Sequence, residues 1–198
     1  MSETTNDTDS RLVAGLWQVV AAHGWDGVTL RRVAAASGLP AAGIRRRCAS
    51  PADLLRLHGQ VVDDAVAVGT IAGQGGTPRD RIFDVLMRRI DAMQPHRAGL
   101  VRLLEELRTE PGLALCLLAG LPRSMADLLR AAEIDPAGLF GALRVQGVTA
   151  VWLATVRAWV EDDSVDLGPT MAALDRALDR AEQVARSLRL DPGDMSIG

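Results

Sequence analysis

The sequence predicts an all-α fold, and three observations predict it. Apolar residues recur at spacings of three and four along most of the 198 residues. No stretch sustains the strict apolar–polar alternation of a half-buried strand. Helix-start and helix-stop residues punctuate the chain between the periodic runs. The core is expected to be aliphatic, because four Trp, two Phe and no Tyr supply little aromatic area.

The start, MSETTNDTDS, is polar and acidic, and residues 1–9 read as a disordered tail. Ser10 opens a first helix on Leu12, Val13, Leu16, Val19 and Val20, and Gly24 stops it as a left-handed cap. Thr29 caps a short second helix, LRRVAAAS, which ends at Gly38. Pro40 suits the first turn of a third helix, where its missing N–H costs nothing. In SPAD, Ser50 takes the N-cap, Pro51 the first position and Asp53 the third, a capping box with Asp for Glu. That helix continues to about Val68. The glycine-rich GTIAGQGG is a natural boundary, after which TPRD repeats the same start at Thr77 and Asp80 for a helix to Met93. Pro95, Pro111 and Pro122 are expected to cut the next forty residues into short helices. IDPAGL starts a further helix near Asp135, and DLGP separates it from a last one over 169–189.

Composition narrows the function classes. All 22 basic residues are Arg. Cys48 and Cys116 form no CxxC pair, which argues against a zinc site or disulfide framework and fits a reducing, cytoplasmic setting. The N-terminus is not a signal peptide, and no apolar run approaches the length of about 18 needed for a transmembrane segment. EDDSVD lacks the remaining ligands of a calcium loop. With no nucleophile motif, phosphate loop or metal-ligand spacing, no enzyme, metal or cofactor is expected.

Charge is unevenly divided. Residues 1–9 carry −3, residues 10–60 carry seven Arg against Asp26 and Asp53, and residues 61–198 carry −5. A basic head on an acidic body points a polyanion at the head alone. The two short helices joined by SGLP read as a helix-turn-helix, whose second helix enters the DNA major groove. Arg45, Arg46 and Arg47 end that second helix. Three adjacent helical residues span about 200°; they read either as a solvated helix face or, as their place in the motif favours, with Arg45 and Arg46 facing double-stranded DNA and Arg47 at its margin.

Residues 11–68 resemble the N-terminal domain of TetR-family transcriptional regulators: Gly24 and Trp25 after helix one, Thr29 and Ala34 in helix two, Gly38 in the turn, and Ser50, Leu54 and Leu55 in helix four. The pattern departs at Ala41 and Ala42, where Lys and Gly are usual, at Arg45–Cys48 in place of aromatics, and at Pro51 in place of Lys. The resemblance implies a homodimeric, ligand-responsive regulator on a palindromic operator. Its head spans 10–50, a connecting helix 51–70, a ligand-binding and dimerisation domain 77–190, and a frayed tail 191–198. Its DNA-binding candidates are Thr29, Arg31, Ala41, Ala42, Arg45, Arg46 and Arg47. Met87, Leu103, Leu107, Leu117, Met125 and Trp152 read either as plain core or as the wall of a cavity for an apolar or amphipathic, lipid-like small molecule. Val148, Trp159, Leu174, Leu178, Ala181 and Val184 read as core or as a dimer seam, and the resemblance favours the seam. The chain also resembles the TetR-like lipid-binding accessory proteins of ubiquinone biosynthesis. Ala22–Trp25, Asp163, Ser164, Asp166, Thr170, Leu174, Asp175 and Arg176 fit their outline, which implies lipid binding without specific DNA recognition.

Overall fold

A computed structural model describes residues 2–70, 76–107 and 109–187, and these contain helices and no strand. The order is α1 (Ser2–His23), α2 (Leu30–Ser37), α3 (Ala41–Arg47), α4 (Pro51–Gly69), α5 (Pro78–Met93), a single 3-10 turn (Gln94–His96), α6 (Arg97–Glu106), α7 (Pro111–Ala131), α8 (Gly138–Val160) and α9 (Gly168–Ser187). The chain divides into two compact units: residues 1–69 with 91–124, and residues 70–90 with 125–198. Most of the glycine-rich boundary, the end of the last helix and the frayed tail at 191–198 lie outside the described residues.

In the first unit α1 is the central element, packed on α2, α4 and α6. Leu12, Val13, Leu16, Trp17 and Val20 are each at most 2% exposed, a helical spacing that turns one face inward. Two glycines let neighbours approach: a Cβ on Gly15 would meet Ser37 at 2.9 Å, and one on Gly99 would meet the Trp17 carbonyl at 2.6 Å. Trp17 Nε1 donates to His58 Nδ1 at 3.2 Å, pinning α4 to α1. The end of α1 is closed by α6. Trp25 N donates to Glu106 at 2.7 Å and Arg102 donates to the Ala21 carbonyl at 2.9 Å. Gly24 takes φ 71° there, as the sequence predicts. Unlike the prediction, α1 reaches back to Ser2 through the segment read as a tail. Thr8 and Asp9 are partly covered rather than fully exposed.

In the second unit α8 and α9 form the main pair. Their connection is locked by Asp162, 4% exposed. Its carboxylate accepts from Ser164 N (2.9 Å), Ser164 Oγ, Thr170 N (2.9 Å) and Thr170 Oγ1 (2.6 Å). Burial raises the Asp162 pKa, but these four donors outweigh it and hold the carboxyl far below the ordinary range. Arg79 ties α5 to α9 through Asp175 and Asp179, both at 2.7 Å. At the end of α7, Ile134 N donates to the Leu129 carbonyl at 2.8 Å across Glu133, which holds the left-handed position at φ 58°. This is a Schellman closure with Glu where Gly is usual.

Two expectations need correction. Pro122 does not end a helix; it lies inside α7. Proline frees the carbonyl four residues back, and Leu118 is 53% exposed, so that carbonyl sits on a solvent-facing turn. With α7 unbroken, two helices, 111–131 and 138–160, are long and apolar enough to cross a membrane by length and composition, at mean hydropathy 1.4 each. Only 24% and 33% of those windows are buried. On α8 the buried residues Val145, Val148, Val151, Trp152 and Trp159 make the stripe of a core helix.

Candidate nucleic-acid interface

The head is assembled by local capping and a few crossing hydrogen bonds. The Thr29 hydroxyl accepts from Arg32 N, opening α2, and Arg32 donates to the Gly27 carbonyl at 2.8 Å. Gly38 ends α2 at φ 67°, a conformation costly for residues with a Cβ. From α1, Arg11 donates to the Ser37 carbonyl at 3.1 Å, bracing the turn. Pro40 is the N-cap of α3 rather than its first residue. Ile44 and Cys48, one turn apart, are each 2% exposed and anchor α3 inward. Burial, followed by the Asp53 and Asp9 carboxylates, pushes the Cys48 thiol pKa up, so it remains a protonated filler. The predicted capping box of α4 is present: Asp53 accepts from Ser50 N at 2.9 Å, and Ser50 Oγ accepts from Asp53 N at 3.3 Å.

With Ile44 and Cys48 inward, the three arginines fan over the opposite surface. Arg45, Arg46 and Arg47 are all exposed, as are Thr29, Arg31 and Ala42, while Ala41 is half-buried. Gly43 has open space where a Cβ would stand. Arg47 is turned toward α1 and forms an ion pair with Asp9. A shallow concavity of about 500 Å³ lies between Thr8 and Leu12 of α1 and Leu39, Pro40, Ala42, Gly43, Ile44, Arg46 and Arg47. Two residues that sequence reasoning missed, Arg11 and Asp9, act across 26 and 38 positions. No local pattern announces contacts at that range.

The other candidate sets fall differently. Leu103, Leu107 and Leu117 belong to the first unit, and Met87, Met125 and Trp152 to the second. Leu103 and Met125 are buried, whereas Leu107, Leu117 and Met87 are half-buried. Trp152, 6% exposed, lies beneath the Arg89 guanidinium at 5.1 Å. Of the seam candidates, Val148, Trp159, Leu174 and Leu178 are at most 5% exposed in the single chain. Ala181 is half-buried and Val184 is 57% exposed. Large apolar side chains that do remain exposed on α8 are Leu139, Phe140, Leu143 and Leu153.

Among the described residues a helix-turn-helix near the N-terminus opens an otherwise all-helical fold. Solved structures that share the fold include two bacterial ones. One is a TetR transcriptional regulator from Rhodococcus sp. RHA1, 15% identical, with a TM-score of 0.55 over 91% of this chain and 98% of that one. The other is a transcriptional regulator from Rhodococcus sp. Rha1, 18% identical, with a TM-score of 0.50 over 89% of this chain and 96% of that one. No family model and no curated protein matches the sequence.

Proposed function

We propose that this chain is a TetR-type, ligand-responsive transcriptional regulator, acting as a repressor that binds a palindromic operator as a cytoplasmic homodimer. One observation carries the reading. Arg45 and Arg46, with Arg31 on the preceding helix, stand exposed and without an ion-pair or hydrogen-bond partner among the described residues of a braced helix-turn-helix. Guanidinium groups suit both phosphate and guanine edges. Thr29, Ala41 and Ala42 complete the approach surface. The exposed apolar side chains of α8, with Met171 and Val184 of α9, are of the kind that close against a second copy. An apolar ligand then acts by binding one separation of the two heads more tightly than the other.

The test is a gel shift with the DNA flanking its own gene, across a salt series. Six arginines from two heads give a logarithmic salt slope of about −5. Arg45→Ala with Arg46→Ala abolishes a genuine site-specific shift. A second reading, a lipid-binding accessory protein of the same fold, is favoured by Leu115 and Leu118 on α7, 71% and 53% exposed. Absence of any site-specific shift by the wild type, together with a lipid retained in native mass spectrometry, selects that reading.

A further inference from the structure

Within the arginine triplet, Arg47 is set apart by having a partner. Its Nη2 donates to Asp9 Oδ2, and the two side chains are 36% and 13% exposed. Asp9 is held firmly, because Leu12 and Val13, on the next turn of α1, are each 1% exposed. The grip is nevertheless one-sided. Asp9 Oδ1 is buried and has no hydrogen-bond partner among the described residues, so a single carboxylate oxygen holds one of the five guanidinium donors. A phosphodiester presents two free oxygens and takes Arg in the bidentate arrangement that this carboxylate does not provide. Arg47 lines the same concavity as Arg46.

We propose that Asp9 is an internal stand-in for a DNA phosphate. It draws Arg47 against α1 in the free protein and releases it to the duplex backbone on binding, so that the acidic start of α1 holds DNA affinity down. This rests on the nucleic-acid reading above. A part-exposed ion pair is weak in water, so a phosphate in the right place displaces it. Asp7, exposed on the same helix, supplies the control: it carries the same charge, and Arg47 pairs with Asp9 instead.

The experiment measures fluorescence anisotropy of a labelled duplex from the flanking DNA, from about 50 to about 300 mM salt. The proteins are wild type, Asp9→Asn, Asp7→Asn, Arg47→Ala, the Asp9→Asn/Arg47→Ala double variant and the Arg45→Ala/Arg46→Ala pair, each checked for an unchanged melting temperature. Asp9→Asn is expected to tighten binding about three- to tenfold at low salt with little change in salt slope, because Arg47 makes the same phosphate contact in both complexes, whereas Arg47→Ala flattens the slope by about 0.9 per head. Asp7→Asn is expected to change affinity less than about twofold, the scale of one screened surface charge. In the Arg47→Ala background, Asp9→Asn is expected to gain nothing. An Asp9→Asn protein that binds like wild type, like Asp7→Asn, or more weakly overturns the proposal while Arg45→Ala/Arg46→Ala still abolishes binding. If that pair leaves binding intact, or the wild type binds no duplex, the nucleic-acid reading fails and takes this inference with it.

Discussion

Among the described residues, the head sets Arg31, Arg45 and Arg46 free around one helix-turn-helix, whereas Arg79 and Arg81 of the α8–α9 unit bind across helices. In the second unit Arg79 reaches Asp175 and Asp179 at 2.7 Å and Glu182 at 3.7 Å, and Arg81 donates to the Ala132 carbonyl at 2.8 Å. Those guanidinium groups hold helices together, and the Arg79 pKa is raised far above its ordinary value, first by the Asp175 and Asp179 hydrogen bonds. In the head, Arg11 and Arg32 serve backbone carbonyls, Arg47 serves Asp9, and Arg31, Arg45 and Arg46 point into solvent. The lesson is that a count of basic residues says little about polyanion binding; what matters is which of them the fold leaves unpaired.

The strongest way to sharpen that contrast is the Arg45→Ala/Arg46→Ala pair. It is expected to cost at least about 100-fold in operator affinity at moderate salt, from about 1–3 kcal/mol per lost groove contact. Its urea midpoint should stay at the wild-type value, because exposed side chains without partners contribute little to stability. A large fall in stability would break the comparison.

Next in size is Asp162→Asn. An amide offers one acceptor oxygen and brings an NH₂ toward donors, so a loss of about 2 kcal/mol is expected in urea unfolding. The native Asp162 pKa lies below its unfolded value. Its contribution is therefore complete above about pH 4 and fades as pH falls further toward the native pKa. Wild-type acid unfolding should be the steeper below that pH, and Asp162→Asn should flatten it.

Arg79→Ala is expected to cost about 1 kcal/mol at low salt, and less at high salt, because its acid partners are largely exposed. Smallest is Glu133→Gly, expected to raise stability by about 0.5 kcal/mol: relief of the left-handed backbone is partly offset by loss of the 3.8 Å pairing with Arg81. A loss of stability there would mean that the pairing outweighs the backbone strain.

Much of the fold was legible because its signals are local. Thr29, Gly38 and the Ser50–Asp53 box act on backbone within four residues, and each is found in its expected role. Pro122 misled because breaking a helix depends on whether the freed carbonyl is left without solvent, which sequence does not state. The turn brace Arg11, the Arg47–Asp9 pair and the Asp162 lock depend on chain segments meeting in space. The α9 stripe was legible as apolar, but periodicity does not say what covers it. Leu174 and Leu178 are covered in the single chain, whereas Val184 is not.

The tryptophans carry a practical consequence. Trp17 and Trp25 belong to the first unit, Trp152 and Trp159 to the second, and the chain has no Tyr. Near-ultraviolet emission therefore comes essentially from tryptophan, with two of these fluorophores in each unit. Trp159, with no exposed surface, gives a blue component that shifts red only when the second unit opens. Replacing one pair with Phe leaves a protein that reports on the other unit's melting without any added dye.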